Sequence, residues 1–243
     1  MELAGRVALV TGAGRRLGRA FAEALAGRGM TVALHYNASR DGAESLRADV
    51  VARGGRALCF QSDLADAESA RALPARVAAE FGQLDVLVNS AAVMHHVGFE
   101  DTTPDLYDQV LNLNLRSLFF VSQGAAPFLR RVRGKIVNLA DLGGLEPWPG
   151  YAAHSVSKAG VVMLTRVLAR SLAPEVTVNA IAPGAVLVPD DYSDAERTRL
   201  AESTPLGRLG QPDDAVQALL YLLEHADFVT GDVLVVDGGR VLR

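Results

Sequence analysis

The sequence predicts an α/β fold in which helices cover both faces of a doubly wound parallel sheet of about seven strands. Short apolar runs alternate with longer helical patterns along all 243 residues. Strands that are apolar throughout are typical of a sheet buried on both faces, and right-handed crossovers place helices on both sides. No linker or charge block interrupts the alternation, so we predict one Rossmann-type domain over residues 1–243.

Each predicted strand is a short, mostly apolar run, and each predicted helix is a longer segment between two such runs. Because parallel strands end at one edge of the sheet, the residues that follow them are the first candidates for a ligand site. The strands are predicted at Val7–Val10, Thr31–His35, Ala57–Phe60, Val86–Asn89, Lys135–Leu139, Thr177–Ala182 and Val233–Val236. The helices are predicted at Gly18–Gly27, Asp41–Arg53, Asp66–Phe81, Pro104–Arg131, Tyr151–Leu172 and Pro212–Leu223.

One long polar stretch, Val188–Pro205, stands late in the chain, after the sixth predicted strand. Its first residues, Pro189–Ser193, read Pro-Asp-Asp-Tyr-Ser and can cap a short helix. Segments of this kind close over the substrate in some enzymes. We therefore expect a mobile substrate lid at residues 188–205, with an inert surface loop as the alternative.

Composition and charge narrow the class of protein. A net charge of −4 gives no reason to expect nucleic acid or an anionic membrane as a partner. Cys59 is the only cysteine, which excludes an intramolecular disulfide and argues against a metal site. The chain lacks a basic N-terminal segment followed by a long apolar one, and no apolar stretch approaches ~20 residues. We expect a cytoplasmic protein.

A glycine-rich turn, Thr11–Gly18, joins the first strand to the first helix. Gly12 permits a sharp reversal, and Gly18 leaves room for the helix to approach the sheet. Amide groups at the start of that helix would face the pyrophosphate of a dinucleotide. We therefore expect cofactor contacts from Gly12, Arg15, Arg16, Leu17 and Gly18, whereas an ordinary strand–turn–helix connection is the alternative.

The end of the second strand indicates which dinucleotide binds. NAD sites usually place an acid here to accept hydrogen bonds from the ribose, but no carboxylate precedes Asp41. Hydrogen-bond donors occupy these positions instead. Together with Arg15 and Arg16, they favour binding of a 2′-phosphate, so we expect NADP(H) as the cofactor. The expected contacts in this region are Tyr36, Asn37, Ser39 and Arg40. After the third strand, Asp63 and Leu64 are expected to hold the adenine, although Asp63 could equally cap the following helix.

These motifs resemble the short-chain dehydrogenase/reductase family along nearly the whole chain. The resemblance implies a small-molecule substrate, a catalytic role for Asn114 and a homotetramer or dimer. It also implies cofactor contacts from Asn89, Ala91, Pro183, Gly184 and Val186. The matching segments are Thr11–Gly18, Asn89–Ala92, Asn114–Leu115, Asn138–Asp141, Asn179–Gly184, Thr230–Gly231 and Asp237–Gly239.

Several departures from the family pattern resemble its pteridine reductase branch. They are Arg16 in the glycine turn, Asp141 in place of a serine, and His35-Tyr36 followed by Ser39. The resemblance implies biopterin- or folate-like substrates that NADPH reduces at C=N bonds. Related proteins also reduce simple ketones, so both substrate classes stay open.

The family's catalytic Tyr-x-x-x-Lys element reads His154 to Lys158 in this chain, so a histidine stands at the tyrosine position. Asp141 lies 13 positions before His154, the family spacing between serine and tyrosine. An imidazolium ionises near pH ~6.5 and can donate a proton. We expect His154 to act as general acid, with Asp141 orienting it and Lys158 holding the nicotinamide ribose. The alternative is an NADP(H)-binding protein with little reductase activity, such as a sensor or partner subunit.

Other residues near these positions have two interpretations each. Tyr151 shares a helical face with His154 and could be a second acid or, more simply, a wall of the substrate pocket. Asp141 could itself be the acid if burial raises its pKa. Trp148 could stack on a flat substrate or pack between subunits. His95 could line the pocket or belong to the loop surface, and without further ligands nearby no metal site is predicted.

Overall fold

The computed structural model describes residues 1–188 and 192–242 and contains one parallel sheet of seven strands. The strand order is β3-β2-β1-β4-β5-β6-β7, which reverses direction between β1 and β4 and confirms the doubly wound fold. Every strand pair in the sheet is parallel. The strands are β1 Val7–Val10, β2 Thr31–Tyr36, β3 Arg56–Gln61, β4 Val86–Asn89, β5 Lys135–Leu139, β6 Thr177–Pro183 and β7 Val233–Val236.

Helices bury apolar side chains against both faces of the sheet. On one face, Phe21 and Leu219 belong to the same buried cluster as Val10. On the other, Leu73 and Leu129 lie among side chains of the same sheet. The helices are α1 Arg16–Gly27, α2 Arg40–Ala52, α3 Ala67–Phe81, α4 Pro104–Leu111, α5 Ser117–Val132, α6 Ala152–Leu172, α7 Asp194–Glu202 and α8 Pro212–Glu224.

The predicted helix Pro104–Arg131 is two α-helices, α4 and α5, joined by a π-helical turn at Asn112–Arg116. Apolar spacing does not reveal such a turn, because the widened backbone spacing covers only five residues. Single π-turns inside helices often lie at functional sites. This one contains Asn114, whose side chain is buried.

The late polar stretch contains a short helix, as predicted. The Ser193 hydroxyl accepts a hydrogen bond from the Glu196 amide over 3.3 Å, and the Glu196 carboxylate accepts one from the Ser193 amide over 2.8 Å. This reciprocal capping box starts α7, none of whose residues is buried. Pro189–Asp191, part of the predicted cap, lie outside the described residues, and the lid itself stays a prediction. Over the described ranges, no helix is both long and apolar enough to cross a membrane.

Candidate active site

The glycine turn after β1 lies tightly against the end of β4. Gly12 has φ +68°, and a Cβ on it would lie 3.0 Å from the Ala91 Cα atom. A Cβ on Gly18 would lie 2.3 Å from the Gly12 carbonyl oxygen. The Thr11 hydroxyl accepts hydrogen bonds from the amides of Ser90 (2.9 Å) and Ala91 (3.1 Å). Only glycine fits these two positions without a clash.

His35 is a buried link between this turn and the end of β3. Its Nδ1 accepts a hydrogen bond from the Gly12 amide over 3.1 Å, and its Nε2 lies 3.0 Å from the Ser62 carbonyl oxygen. These partners require a neutral ring with the proton on Nε2. Burial lowers the pKa of His35 to about 4, although the Ser62 carbonyl opposes the shift. The position of His35 in the sequence does not reveal this role, because Ser62 lies 27 residues further along the chain.

The two arginines of the turn differ in what they contact. Arg15 is exposed and precedes α1 in an extended conformation. Arg16 has φ +52°, a left-handed conformation that non-glycine residues rarely adopt. Its guanidinium donates a hydrogen bond to the Leu187 carbonyl in the segment after β6. Arg16 therefore joins the glycine turn to the opposite side of the cleft, while Leu17 lies half-buried behind it.

The residues predicted to select NADP(H) cluster at the ends of β2 and β3. Asn37 Nδ2 donates to Asp63 Oδ1 over 3.3 Å, and Ser39 directly precedes α2. Asp63 also accepts a hydrogen bond from the Ala65 amide. The α3 helix is capped instead by Asp66, which accepts from the Ser69 amide over 2.8 Å. The alternative of Asp63 as the helix cap is therefore wrong, because α3 begins at Ala67, directly after Asp66.

Two further residues predicted at this cluster are buried beside it, and Arg40 is exposed at the start of α2. Tyr36 ends β2 and pairs with Gln61 of β3. The Leu64 side chain packs into the core beneath α3. Their placement at the carboxyl ends of the strands agrees with a cofactor cleft there.

Asn89 was predicted to contact the cofactor, but its side chain faces the interior. Its Nδ2 donates to Asn138 Oδ1 over 2.9 Å and to Ser122 Oγ over 3.1 Å. Asn138 in turn donates to Thr165 Oγ1 over 2.9 Å. The Asn89 Nδ2 group is therefore taken up by protein partners, and cofactor contact by Asn89 stays a prediction. Buried amides must find partners inside the protein, which sequence spacing alone does not reveal.

The segment after β6 is fixed against β7. Gly184 N donates to the Val236 carbonyl over 3.0 Å, and Val186 N donates to the Gly184 carbonyl over 2.9 Å. Pro183 and Val186 are buried, whereas Gly184 is half-buried. These contacts hold the segment at the same edge of the sheet as the glycine turn. Cofactor contact by these residues stays a prediction.

Asp141, His154 and Lys158 come together where β5 meets the start of α6. His154 Nε2 lies 2.5 Å from Asp141 Oδ2. Lys158 is one helical turn after His154, and its Nζ donates to the Leu139 carbonyl over 2.6 Å. The His154 side chain is only 4% exposed, compared with 16% for Asp141. Asp141, rather than His154, is therefore the member of the pair that reaches the surface of the cleft.

The ionisation of this group differs from the expectation for Asp141. Burial alone would raise the pKa of Asp141, but the His154 hydrogen bond and the charge of Lys158 outweigh it and leave this pKa below its ordinary value. The pKa of Lys158 is lowered by burial, which the Asp141 charge partly offsets. The idea that Asp141 is a carboxylic acid held neutral by burial is therefore wrong, because two neighbouring groups stabilise the carboxylate.

Asn114 contacts the other side of the imidazole. Its Nδ2 lies 3.4 Å from His154 Nδ1 and donates to Ser157 Oγ over 3.1 Å. His154 Nδ1 also lies 3.3 Å from the Val93 carbonyl oxygen. Both ring nitrogens of His154 therefore face protein groups. Ser157, which the sequence analysis did not select, is fully buried and is a partner of the predicted catalytic asparagine.

Aromatic rings form a wall beside the pair. The Trp148 ring is nearly parallel to the His154 ring, 12° apart in plane with centroids separated by 6.4 Å. Tyr151 contacts Trp148 edge-on at 5.9 Å and His96 at 4.8 Å. This arrangement favours the interpretation of Tyr151 as a pocket wall. His96 takes part in the wall, and both His96 and its neighbour His95 are exposed.

Comparisons with known proteins agree with this geometry. A family model described as enoyl-(acyl carrier protein) reductase matches residues 12–240. The chain is 37% identical over 240 residues to a 3-oxoacyl-[acyl-carrier-protein] reductase of Staphylococcus aureus, covering 97% of this chain and 98% of that protein. A second 3-oxoacyl-[acyl-carrier-protein] reductase, from Synechocystis, is 34% identical over 244 residues, covering 99% and 98%.

Solved structures give the same result. A short-chain dehydrogenase/reductase from Serratia marcescens superimposes with a TM-score of 0.92 at 34% identity, covering 99% of this chain and 100% of that one. A dehydrogenase/reductase from Sinorhizobium meliloti gives a TM-score of 0.90 at 34% identity, covering 98% and 97%. At 34% identity over nearly the whole chain, these proteins resemble this one in sequence as well as in fold.

Proposed function

This chain belongs to the short-chain dehydrogenase/reductase family of oxidoreductases, and from that premise we propose that it is an NADPH-dependent reductase. It would add hydride to a C=O or C=N bond of a small substrate. The observation that supports this best is the contact of Asp141 with His154, one helical turn from Lys158, at the carboxyl edge of the sheet. Such a cluster of ionisable groups is typical of a proton-handling site.

The chain has the features that a dinucleotide cofactor requires. The cramped glycine turn, in which a Cβ on Gly18 would collide with the Gly12 carbonyl, leaves backbone accessible to phosphates. When bound, the dihydronicotinamide supplies a hydride. Lys158 would hold the ribose hydroxyls, and Arg15 with Asn37 and Ser39 would hold the 2′-phosphate. The preference for NADP(H) rests on these donors and on the absence of a carboxylate before Asp41.

Proton handling is assigned to the Asp141–His154 pair rather than to the imidazole alone. The His154 ring is enclosed, with Nε2 on Asp141 and Nδ1 facing Val93 and Asn114. A proton on Nε2 therefore reaches a substrate only through the Asp141 carboxylate. His154 thus replaces the family tyrosine in position but acts through its neighbour.

The substrate proposal stays at the level of chemical class. Pteridine-like heterocycles are candidates because of the Arg16 and Asp141 departures, and 3-oxoacyl thioesters are candidates because of the relatives' names. The half-buried ring of Trp148 offers a flat surface for either a heterocycle or another planar group.

A second function, NADP(H) binding with little reduction, is favoured by one observation. The group facing the cleft is an ionised carboxylate, and a negative charge there opposes the formation of an alkoxide. A sensor or partner subunit would tolerate this arrangement, because it needs the cofactor cleft but no proton donor.

Turnover of a substrate panel separates the two functions. NADPH consumption is followed with a cyclic ketone, a 3-oxoacyl thioester, a dihydropteridine and a cyclic imine, using wild type, His154→Ala and His154→Tyr. We expect wild-type turnover that falls at least about 100-fold in His154→Ala, with NADPH binding retained. An unchanged rate in His154→Ala would remove His154 from the mechanism. NADPH binding without turnover, and activity gained only in His154→Tyr, would favour the binding protein.

We also propose a cytoplasmic homotetramer or dimer. Four apolar side chains on α5 and α6 are between 42% and 55% exposed, and such surface is typical of subunit interfaces. They are Phe119, Val156, Met163 and Val167. Light scattering of the purified protein, compared with a Met163→Glu variant, tests this part of the proposal. A monomeric wild type would contradict it.

A further inference from the structure

We infer that the preferred substrate is an iminium ion, a C=N bond whose nitrogen is protonated or alkylated, with its positive charge against the Asp141 carboxylate. This inference deepens the proposed reductase function and rests on it. It names a substrate class by its charge at the reacting bond, which neither the fold nor the comparisons determine.

The substrate meets Asp141 rather than His154. His154 is enclosed beneath Trp148 and has both ring nitrogens directed at protein groups. Asp141 is more exposed than His154, so its carboxylate is the ionisable group of the pair that a substrate meets. A positively charged group placed against this carboxylate gains an ion contact, which is stronger where water is excluded.

The charge that a substrate meets at Asp141 is negative. The 2.5 Å contact with His154 Nε2 and the neighbouring Lys158 ammonium keep Asp141 ionised. The charge of Lys158 acts on Asp141, but Lys158 is enclosed and its Nζ donates to the Leu139 carbonyl. The carboxylate therefore acts more directly on a substrate than the lysine does.

The charge that develops on the substrate during reduction differs between a ketone and an iminium ion. Hydride addition to a ketone leaves a negative oxygen, which a neighbouring carboxylate destabilises and which must then gain a proton. An iminium carbon gains a hydride while its C=N π pair moves onto nitrogen, and the product is a neutral amine. The dihydronicotinamide is oxidised in the same step. Charge is balanced without a proton from the protein, so an ionised Asp141 and an enclosed His154 are compatible with this reaction.

The neighbouring wall suits a flat cation. Trp148 and Tyr151 present aromatic rings beside the pair, and ring faces attract cations. The Trp148 indole N–H is directed to Glu146 over 2.8 Å, which fixes the ring plane and places a second carboxylate nearby. These features would favour an aromatic or cyclic iminium.

The test compares two probes of similar shape, the permanently charged N-methyldihydroisoquinolinium ion and the neutral ketone tetralone. NADPH oxidation is measured for wild type, Asp141→Asn and the control Asp213→Asn on the distant helix α8, after subtraction of the uncatalysed reaction. We expect kcat/KM for the iminium to exceed that for tetralone by at least about 100-fold. Asp141→Asn should lower the iminium value by about 10- to 100-fold relative to Asp213→Asn, since an ion contact contributes on this scale.

A binding measurement avoids dependence on turnover. Calorimetry with the protonated product, N-methyltetrahydroisoquinoline, in the presence of NADP⁺ should show binding at least about tenfold weaker in Asp141→Asn than in Asp213→Asn. If wild type reduces tetralone as well as the iminium, or if Asp141→Asn binds the amine equally, the iminium inference is overturned and the reductase proposal stands. If neither probe nor any panel substrate is reduced while NADPH binds, both proposals are overturned.

Discussion

The Asn114 side chain forms two hydrogen bonds with the main chain of Val93, accepting from its amide over 2.8 Å and donating to its carbonyl over 2.9 Å. The same Nδ2 donates to Ser157 Oγ on α6. One carboxamide thus joins the loop after β4, the π-turn and the helix that carries His154. The geometry explains why an asparagine is needed here, since only an amide both accepts and donates at this place.

Replacing Asn114 should therefore affect both stability and activity. In Asn114→Ala the half-buried amide and carbonyl of Val93 lose their Asn114 partner, and we expect a loss of about 1–3 kcal/mol in unfolding free energy. Asn114→Asp keeps the acceptor but loses the donor and adds a buried charge, so it should be worse. Urea denaturation with turnover measurement checks this, and Asn112→Ala in the same turn is the control. A stable, active Asn114→Asp would contradict the role of the donor.

The neutral state of His35 predicts a pH dependence of stability. Its pKa is about 4 in the folded protein and near 6.5 when unfolded, so the unfolded chain binds a proton first as the pH falls. The stability contribution is therefore complete above about pH 6.5 and is lost down to about pH 4. We expect the His35 contribution to be about 2 kcal/mol smaller at about pH 5 than at about pH 7.

Urea unfolding at both pH values, in wild type and His35→Gln, measures this contribution. The pH-dependent part should disappear in His35→Gln, which cannot take up the proton. His225, an exposed residue at the end of α8, supplies the matched control His225→Gln, which should behave as wild type. Equal pH dependence in all three proteins would show that the His35 ring is not held neutral.

Arg16 and Arg133 form a natural pair for testing the glycine turn. They are the two non-glycine residues with positive φ among those that the structure describes, at +52° and +50°. In each glycine variant, the left-handed backbone is no longer strained, which stabilises the folded protein. Glycine also gives the unfolded chain more conformational freedom, which destabilises the folded protein, so the free energy of unfolding should change by less than about 1 kcal/mol. Only Arg16→Gly should weaken NADPH binding, by about tenfold, because it removes a charge and the Leu187 contact. Equal affinity in both variants would exclude Arg16 from the cofactor site.

The selection of NADPH can be tested at Ala38, an exposed residue between Asn37 and Ser39. Ala38→Asp adds a carboxylate where the sequence has none, which should repel a 2′-phosphate and accept bonds from a ribose. We expect the ratio of NADPH to NADH affinity to fall about 10- to 100-fold. The neutral Ala38→Asn should leave the ratio close to wild type. A ratio unaffected by the aspartate would place the 2′-phosphate elsewhere.

Local patterns were sufficient to predict the strands, most helices and the glycine turn, since apolar runs and Gly12 or Gly18 act over a few residues. What they missed depends on contacts between distant parts of the chain. The orientation of His35 is set by Ser62, directly after β3, and the ionised state of Asp141 is set by His154 and Lys158. The direction of the Asn89 amide likewise depended on partners that its own motif does not contain.

The hydrogen-bonded series from Asn89 through Asn138 to Thr165 crosses from β4 to β5 and on to α6. If α6 slid or rotated by one residue, Asn138 Nδ2 would lose Thr165 Oγ1 and be left unpaired inside the core, a cost of about 1–3 kcal/mol. These hydrogen bonds therefore fix the position of α6 relative to the strands. The position of the His154 imidazole relative to β5 is therefore set by buried contacts in the protein interior, away from the cleft where a ligand would bind.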